Sequence, residues 1–320
     1  MNVVVTADIV LSVYNGGPFL AQQLESVQAQ THTDWRLWVR DDGSTDGSGD
    51  VAVAFAERDP RIRVLPADGR RLGPGGGFGW LLERLPPDAR YVFTCDADDV
   101  WLPFKIERTL AAMYAAEAAE AGPILVHTDL TVVDRELRHL APSLWRHLGL
   151  RPEDATAVTL ATDNVATGPT LLLNRALLDL VRPVPPEATH QDWWIALVAA
   201  AVGRIVSLPE STVLYRRHGA NTSGPLPSPE ARRPAALARR TAGSRSRVPA
   251  LRAWIESTAR QAEAVVERSG GRLRPEDRAA LSEIAGISDC GWLERKRRLW
   301  RYWALPQRGL IRNLGLLLRG

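Results

Sequence analysis

Residues 91–99, YVFTCDADD, decide the fold, because an apolar run ends there in three acids within four residues. An apolar run of this length predicts a buried strand. Open α/β sheets bind ligands at the carboxyl ends of their strands, where Asp96, Asp98 and Asp99 would lie. Clustered carboxylates suit Mg²⁺ or Mn²⁺, and such an ion usually carries a substrate's phosphates as well. A solvated acidic turn is the alternative interpretation.

A second acidic strand end lies upstream of the first. The segment Trp35–Arg40 runs into the turn DDGSTD at residues 41–46. A carboxylate at a strand tip can accept hydrogen bonds from a nucleobase or from ribose hydroxyls, as the acid after a dinucleotide-binding strand does. Asp, Gly and Ser are also preferred in tight turns, so a capped turn is the alternative.

Strand-like and helix-like segments alternate along the first two thirds of the chain. Strands are expected at residues 9–13, 35–40, 62–65, 91–95, 124–127, 170–173 and 205–208, with helices between most of them. Helical crossovers between strands predict a Rossmann-like, mostly parallel sheet with helices on both faces. Asn15 is expected to cap the first helix. Gly73–Gly77 is expected to be a loop, but it lacks the lysine of a phosphate-binding loop.

Charge is distributed unevenly over the 320 residues. Residues 1–224 hold 20 Lys and Arg against 28 Asp and Glu, whereas residues 225–320 hold 20 against 9. Four prolines between residues 225 and 234 mark the boundary. An acidic front suits a part that recruits cations, and a basic tail suits contact with an anionic surface.

The sequence shows little sign of a secreted or membrane-spanning protein. Cys95 and Cys290 are its two cysteines, which favours a reducing compartment. No basic amino-terminal region precedes a long apolar stretch, so no signal peptide is expected. The longest apolar run, residues 193–203, is shorter than the roughly 20 residues of a membrane span. We therefore expect a cytoplasmic protein.

Two further motifs carry groups that could do chemistry. HQDWW at residues 190–194 places Asp192 at the start of an apolar helix, either as the helix cap or as a general base beside an aromatic wall. YRRHG at residues 215–219 leaves a strand with Arg216, Arg217 and His218. Arginine matches diphosphate oxygens in a two-pronged geometry, and histidine can complete the coordination of a metal.

The order of these motifs resembles that of the inverting family 2 glycosyltransferases of the GT-A fold. The matching segments are VYNG at residues 13–16, DDGSTD at 41–46, DADDVW at 96–101, HQDWW at 190–194 and YRRHG at 215–219. Together with residues 126–134, they are most similar to the bacterial rhamnosyltransferase-like branch. The resemblance implies a GT-A domain over residues 1–224, followed by a basic, mainly helical region over residues 225–320.

The resemblance also implies a role for individual residues. Asp98 would hold a divalent ion, Mg²⁺ or Mn²⁺, with support from Asp99 and with His218 as a further ligand. Asp192 would be the catalytic base, and Gln191 stands where an acidic residue is common. The residues expected to contact the nucleotide-sugar donor are Ser12, Tyr14, Asn15, Asp41, Asp42, Asp96, Arg216 and Arg217.

The function implied is inverting transfer of L-rhamnose from dTDP-rhamnose to a lipid-linked saccharide that becomes cell-surface polysaccharide. A UDP-sugar donor on the same fold is one alternative. A non-catalytic nucleotide-binding or glycan-binding module is another. A nucleotidyltransferase would need a basic, glycine-rich loop near the amino terminus, and residues 14–20 contain no Lys or Arg.

The basic tail predicts a surface contact and no catalytic chemistry. Residues 295–298, RKRR, precede LWRYW at 299–303, and further apolar segments follow at 310–311 and 314–318. Cations beside Trp and Leu suit a helix at the surface of anionic lipid, on the inner face of the plasma membrane. The alternative is that these apolar side chains pack on the catalytic domain. Nucleic acid is not an expected partner, because no binding motif is present.

Overall fold

The computed structural model describes residues 5–66, 69–219 and 247–303. The proline-rich boundary at residues 225–234 and the apolar segments at 310–318 lie outside these ranges. Among the described residues, no helix is both long enough and apolar enough to cross a bilayer.

One nine-stranded sheet forms the centre of the described part of the chain. Its strands are β1 (Ala7–Val13), β2 (Trp35–Asp41), β3 (Ile62–Val64), β4 (Tyr91–Cys95), β5 (Val100–Trp101), β6 (Ile124–Val133), β7 (His139–Ala141), β8 (Leu171–Asn174) and β9 (Arg204–Arg216). The strand order is β3-β2-β1-β4-β8-β6-β9-β5, and β7 pairs with β6. All strands except β5, β7 and β8 run in the same direction, so the predicted mostly parallel sheet is confirmed.

Helices cover both faces of the sheet, as predicted. They are α1 (Gly17–Gln28), α2 (Ser48–Arg58), α3 (Gly73–Arg84), α4 (Lys105–Ala119), α5 (Leu144–Leu148), α6 (Ala157–Thr162), α7 (Arg175–Val181), α8 (Gln191–Val202), α9 (Arg247–Ser269), α10 (Pro275–Ala285) and α11 (Trp292–Arg298). A π-helical turn, Leu299–Trp303, follows α11.

Successive residues of each central strand enter different hydrophobic layers. Val10 and Val92 pack with α3, α6 and α8, whereas Ile9, Leu11 and Phe93 pack with α1 and α4 on the other face. Side chains alternate across a strand, so a strand covered on both faces reads as one continuous apolar run. Because helices bury both faces of these strands, the strands were recognisable in the sequence as continuous apolar runs.

The prediction of a loop at residues 73–77 is wrong, because these residues form the first turns of α3. The glycines allow this helix to lie very close to β1. A Cβ atom added at Gly77 would lie 2.1 Å from Ser12 Oγ, which is closer than any side chain can approach. The close contact places the amino terminus of α3 beside the carboxyl end of β1.

The carboxyl-terminal helices share a hydrophobic core with the first part of the chain. Ala262 and Val265 of α9 are fully buried in the same cluster as Trp194 and Leu197 of α8. A polar contact adds to this packing, because the Thr189 backbone N–H donates to Gln261 Oε1 at 3.1 Å. The division of the chain near residue 225 stays a prediction.

Candidate functional site

A cavity of about 620 Å³ opens at the carboxyl ends of β1, β2 and β4, where a sheet of this kind binds ligands. It brings together residues that are far apart in the sequence. The predicted site residues that line it are Ser12, Tyr14, Asn15, Asp42, Asp96, Asp98, Asp192 and His218.

Three carboxylates converge in the turn between β4 and β5. Ligand oxygens of Asp96, Asp98 and Asp99 all lie within 4.8 Å of one another. Asp99 is fully buried, its Oδ1 accepts from the Arg216 backbone N–H at 2.9 Å, and its Oδ2 has no partner in the described part of the chain. Burial and the neighbouring carboxylates raise the pKa of Asp96 and of Asp99 well above the usual range. A cation would relieve this repulsion.

His218 completes this group of potential ligands. Its Nε2 lies 2.8 Å from Asp98 Oδ2, and its ring lies 4.7 Å from that of Phe19. Carboxylate oxygens with an imidazole nitrogen are a suitable donor set for Mn²⁺, and carboxylates alone suit Mg²⁺. The unpartnered oxygen of Asp99 fits the same interpretation, so the residues present are compatible with a divalent ion.

The side chains of Arg216 and Arg217, which were expected to contact the donor diphosphate, both bind groups of the protein itself. The Arg216 side chain is buried, and its Nε donates to the Asp98 carbonyl oxygen at 2.8 Å. Arg217 lies over Tyr215, and its Nη1 donates to the Tyr215 hydroxyl at 3.2 Å. Neither arginine lines the cavity. Arg216 instead supports the acidic turn from behind, because the protein's own oxygens accept its hydrogen bonds.

Asp41 and Asp42 both organise turns, as the capped-turn alternative proposed. Asp42 is almost fully buried and accepts from the backbone N–H groups of Leu72 and Gly73, at 2.9 and 2.7 Å. It thereby caps α3, and it also lines the cavity. Asp41 accepts from the backbone and the hydroxyl of Ser44, and it does not line the cavity.

The turn after β1 differs from its expected form. Asn15 does not cap α1, because Gly16 takes that position, and Asn15 Oδ1 accepts from the Thr45 backbone N–H at 2.9 Å. The exposed Tyr14 stacks with Arg71, whose guanidinium carbon lies 3.6 Å from the ring centroid. Arg71 also lines the cavity. No sequence motif surrounds it, so only the fold reveals its place in the site.

Asp192 faces the acidic cluster from the first turn of α8, where His190 and not Asp192 is the helix cap. Its Oδ2 accepts from the Gly168 backbone N–H at 3.0 Å, and its Oδ1 accepts from its neighbour Trp193 at 2.7 Å. Burial raises the pKa of this carboxyl group. Both carboxylate oxygens are therefore oriented by backbone donors.

Gly168 keeps the space between the two sides of the site open. A Cβ atom there would lie 3.6 Å from Asp96 Oδ1 and 3.7 Å from Asp192 Oδ2. The Thr94 hydroxyl donates to the Gly168 carbonyl oxygen and so fixes this short turn on β4. The cavity thus presents a cation-binding group on one side and an oriented carboxylate on the other.

A mostly parallel sheet of this topology, with acids at the carboxyl end of β4, is typical of the GT-A fold. Residues 8–179, more than half of the chain, match the family Glycosyl transferase family 2, and the chain belongs to this family. The predicted family is therefore confirmed. The rhamnosyltransferase branch stays a prediction.

Individual relatives agree with this assignment. An uncharacterized glycosyltransferase of Nostoc sp. is 31% identical over 218 residues, which are 67% of this chain and 65% of that protein. The putative teichuronic acid biosynthesis glycosyltransferase TuaG of Bacillus subtilis is 29% identical over 162 residues, which are 50% of this chain and 63% of TuaG. The chain thus spans less than two thirds of the length of both relatives.

The fold is also that of a solved mannosyltransferase, PcManGT of Pyrobaculum calidifontis, in complex with GDP-Man and Mn²⁺. The TM-score is 0.52 at 16% sequence identity, over 98% of this chain and 78% of that one. The predicted GT-A fold is confirmed by this likeness.

Proposed function

We propose that this chain is an inverting, metal-dependent glycosyltransferase that adds L-rhamnose from dTDP-rhamnose to a lipid-linked saccharide. The observation that carries the proposal is the position of Asp192, which lies across Gly168 from Asp96 and lines one cavity with Asp96 and Asp98. The names of TuaG and of the mannosyltransferase support surface-polysaccharide synthesis and a nucleotide-sugar donor with Mn²⁺.

The donor side of the proposed reaction centres on the acidic turn. Asp98, Asp96 and His218 would hold Mg²⁺ or Mn²⁺, and Asp99 would support them from its buried position. The ion, when bound, neutralises the negative charge that develops on the departing diphosphate. Ser12, Tyr14 and the neighbouring cavity wall would bind the nucleoside.

The acceptor side of the proposed reaction centres on Asp192. The acceptor hydroxyl oxygen attacks the anomeric carbon from the face opposite the diphosphate, and the carbon–oxygen bond to dTDP breaks. Asp192 takes the hydroxyl proton, and its raised pKa brings it closer to the value at which a carboxylate is an effective base near neutral pH. A single displacement of this kind inverts the configuration of the sugar.

A thermal-shift screen against dTDP, UDP, GDP and CMP, each with Mn²⁺ or with EDTA, tests this proposal. A ligand that binds only the native state raises the melting temperature by mass action. We expect a shift with dTDP that EDTA abolishes, and no such shift in Asp98→Ala, which lacks the central ligand. A shift with UDP alone would keep the proposed mechanism but would change the proposed donor from dTDP-rhamnose to a UDP-sugar. No shift with any nucleotide would contradict the proposed enzyme and favour a glycan-binding module.

We also propose that one face of the carboxyl-terminal helices meets anionic lipid on the cytoplasmic side of the membrane. Trp292, Leu293 and Trp300 are 69%, 76% and 50% exposed, and the basic residues 295–298 lie among them. We call these three residues the apolar tip. Leu299 and Tyr302, on the opposite side, are buried against the catalytic part. The inner side of this segment therefore packs on the rest of the protein, as the alternative interpretation stated. The apolar tip stays exposed and could contact lipid.

A further inference from the structure

A second cavity of about 490 Å³ lies beside the first one, between α3 and the segment 184–188. Its volume is within the range of sites that bind small molecules. The residues that form its inner wall are Gly75, Gly79, Trp80, Pro185, Pro186 and Gln191, and Arg70, Glu83 and Arg84 stand at its edge. Gln191 also lines the first cavity, so the two spaces meet at this side chain.

The side chain of Gln191 is poised for a ligand. It is only 7% exposed, and in residues 5–66, 69–219 and 247–303 its amide finds no hydrogen-bond partner. The two donors and the acceptor of this amide are therefore left for groups that enter the cavities it lines. Gln191 precedes Asp192 in the first turn of α8, so a ligand bound to this amide lies next to the proposed base.

The remaining wall offers complementary chemistry. The Trp80 ring forms part of the wall and is itself covered by cations, because the guanidinium carbons of Arg84 and Arg40 lie 3.9 and 4.6 Å from its ring centroid. Gly75 and Gly79 expose helix backbone without side chains. The guanidinium of Arg84, the amide of Gln191 and the exposed backbone of α3 together fit a polyhydroxylated ring, whose hydroxyls need polar partners.

We propose that the second cavity is a saccharide subsite for the acceptor, and that Gln191 binds acceptor hydroxyls and so determines which acceptor is used. The inference rests on the proposed transferase function, because it places the reactive hydroxyl at Asp192 while the rest of the acceptor lies against Trp80. The donor nucleotide stays in the first cavity with the acidic turn.

Gly75 allows the subsite to be blocked without touching the donor site. The atoms nearest to a Cβ at this position are Gln191 Oε1 at 3.9 Å and Gln191 N at 4.0 Å, so a side chain fits there without overlap. Gly75→Leu would fill the space in front of Gln191, and leucine is a better helix former than glycine. Gly75→Ala is the matched control that leaves most of the space open. Gln191→Met removes the amide at similar size.

The test measures binding of four methyl glycosides to the full chain by saturation-transfer NMR, with and without dTDP and Mn²⁺. The probes are methyl α-L-rhamnoside, β-D-glucoside, N-acetyl-β-D-glucosaminide and α-D-mannoside. We expect at least one to bind the wild type and Gly75→Ala, and none to bind Gly75→Leu. Loss of one hydrogen bond in Gln191→Met should weaken binding about threefold to tenfold.

Two results would overturn the subsite. One is the absence of binding of every glycoside to wild-type protein, and the other is undiminished binding to Gly75→Leu. Nucleotide affinity measured on the same samples separates this inference from the proposed function. Glycoside binding that is blocked by Gly75→Leu in a protein that binds no nucleotide would support the subsite and reject the transferase.

Discussion

At the scale of single residues, the surroundings of each aspartate determine what it does. Asp42 accepts two backbone N–H groups at the start of α3 and acts as a cap, although it touches the cavity. Asp99 is buried with one oxygen unpartnered. Asp192 has both oxygens oriented by N–H groups and still faces the cavity. The same side chain thus caps a helix at Asp42, stands in a buried carboxylate cluster at Asp99 and faces the cavity at Asp192.

Asp192→Asn is expected to separate chemistry from donor binding. Asparagine keeps the size of the side chain but cannot accept the acceptor's proton. Transfer of rhamnose from dTDP-rhamnose should fall by about 10²–10⁴-fold, while the affinity for dTDP with Mn²⁺ stays unchanged. Turnover and calorimetric titration measure the two quantities, and Asp134→Asn on the surface is the control. Full turnover in Asp192→Asn would exclude this residue as the base.

The sequence revealed most carboxylates of the site, because acids that follow an apolar run stand out. Asp98, Asp192 and His218 were all expected, and all three line the cavity. The burial of Arg216 could not be predicted, since a sequence gives the residue type but not whether the guanidinium is buried. Arg71 could not be found either, because its contact with Tyr14 joins two loops that no local pattern connects.

At the scale of elements, the contact between α3 and β1 determines the shape of the first cavity. Gly77→Ala would place a methyl group 2.1 Å from Ser12 Oγ and 3.1 Å from Ser12 Cβ. Overpacking of this kind costs about 1–3 kcal/mol. Gly75→Ala, on an open side of the same helix, should instead stabilise by up to about 1 kcal/mol. Urea unfolding of both variants measures the difference, and equal effects would argue against the close contact.

The central strand β6 carries a buried histidine that should make stability sensitive to acid. Burial lowers the pKa of His127 to about 4, whereas the unfolded chain has the ordinary value of 6.5. Between these values the unfolded state binds the extra proton, so stability is lost as the pH falls through this window. In this window His127 lowers the free energy of unfolding by up to about 1.4 kcal/mol for each pH unit of acidification.

A comparison of His127→Gln with the wild type isolates this contribution. Glutamine can keep a hydrogen bond to Ser207 Oγ, which lies 2.8 Å from His127 Nε2, but it does not titrate. Urea unfolding at several pH values between 7.5 and 4.5 should show a shallower acid dependence in the variant. Parallel curves for the two proteins would mean that His127 does not contribute.

The strands that the sequence revealed are those with both faces buried. Residues 91–95 were expected as a strand and form β4 with the same limits. The strand β9 extends over Arg204–Arg216, far beyond the expected residues 205–208. The segment PEST at residues 209–212 interrupts its apolar pattern, and its pairing with β5 and β6 is a tertiary effect. The glycines of α3 were misread because packing against β1 overrides their low helix propensity.

At the scale of the whole molecule, the shared core predicts that both parts of the chain unfold together. Leu281 of α10 is fully buried in the cluster that also contains Trp194. Leu281→Ala should cost about 2–5 kcal/mol and lower the temperature of a single calorimetric transition. Glu276→Ala, on the exposed side of the same helix, is the control. Two calorimetric transitions, of which Leu281→Ala lowers the temperature of only one, would support separate domains.

The apolar tip predicts binding to anionic membranes. Tryptophan and leucine beside cations favour the lipid interface, at about 1 kcal/mol for each basic residue near an anionic surface. The wild type should sediment with phosphatidylglycerol vesicles and not with phosphatidylcholine vesicles. Replacing Trp292, Leu293 and Trp300 with serine should abolish sedimentation without lowering nucleotide affinity. Undiminished sedimentation of this variant would reject the tip as the contact.

The support of the acidic turn by β9 has a consequence for synthesis of the protein on the ribosome. His218 contacts Asp98 across 120 residues of sequence, and Arg216 donates to Asp99 across 117. Such long-range contacts form late, and domains fold as the chain emerges from its amino terminus. A nascent chain released before residue 216 therefore carries every acid of the cluster but lacks the contacts of Arg216 and His218. The acidic cluster acquires its full set of contacts only when translation has passed the end of β9.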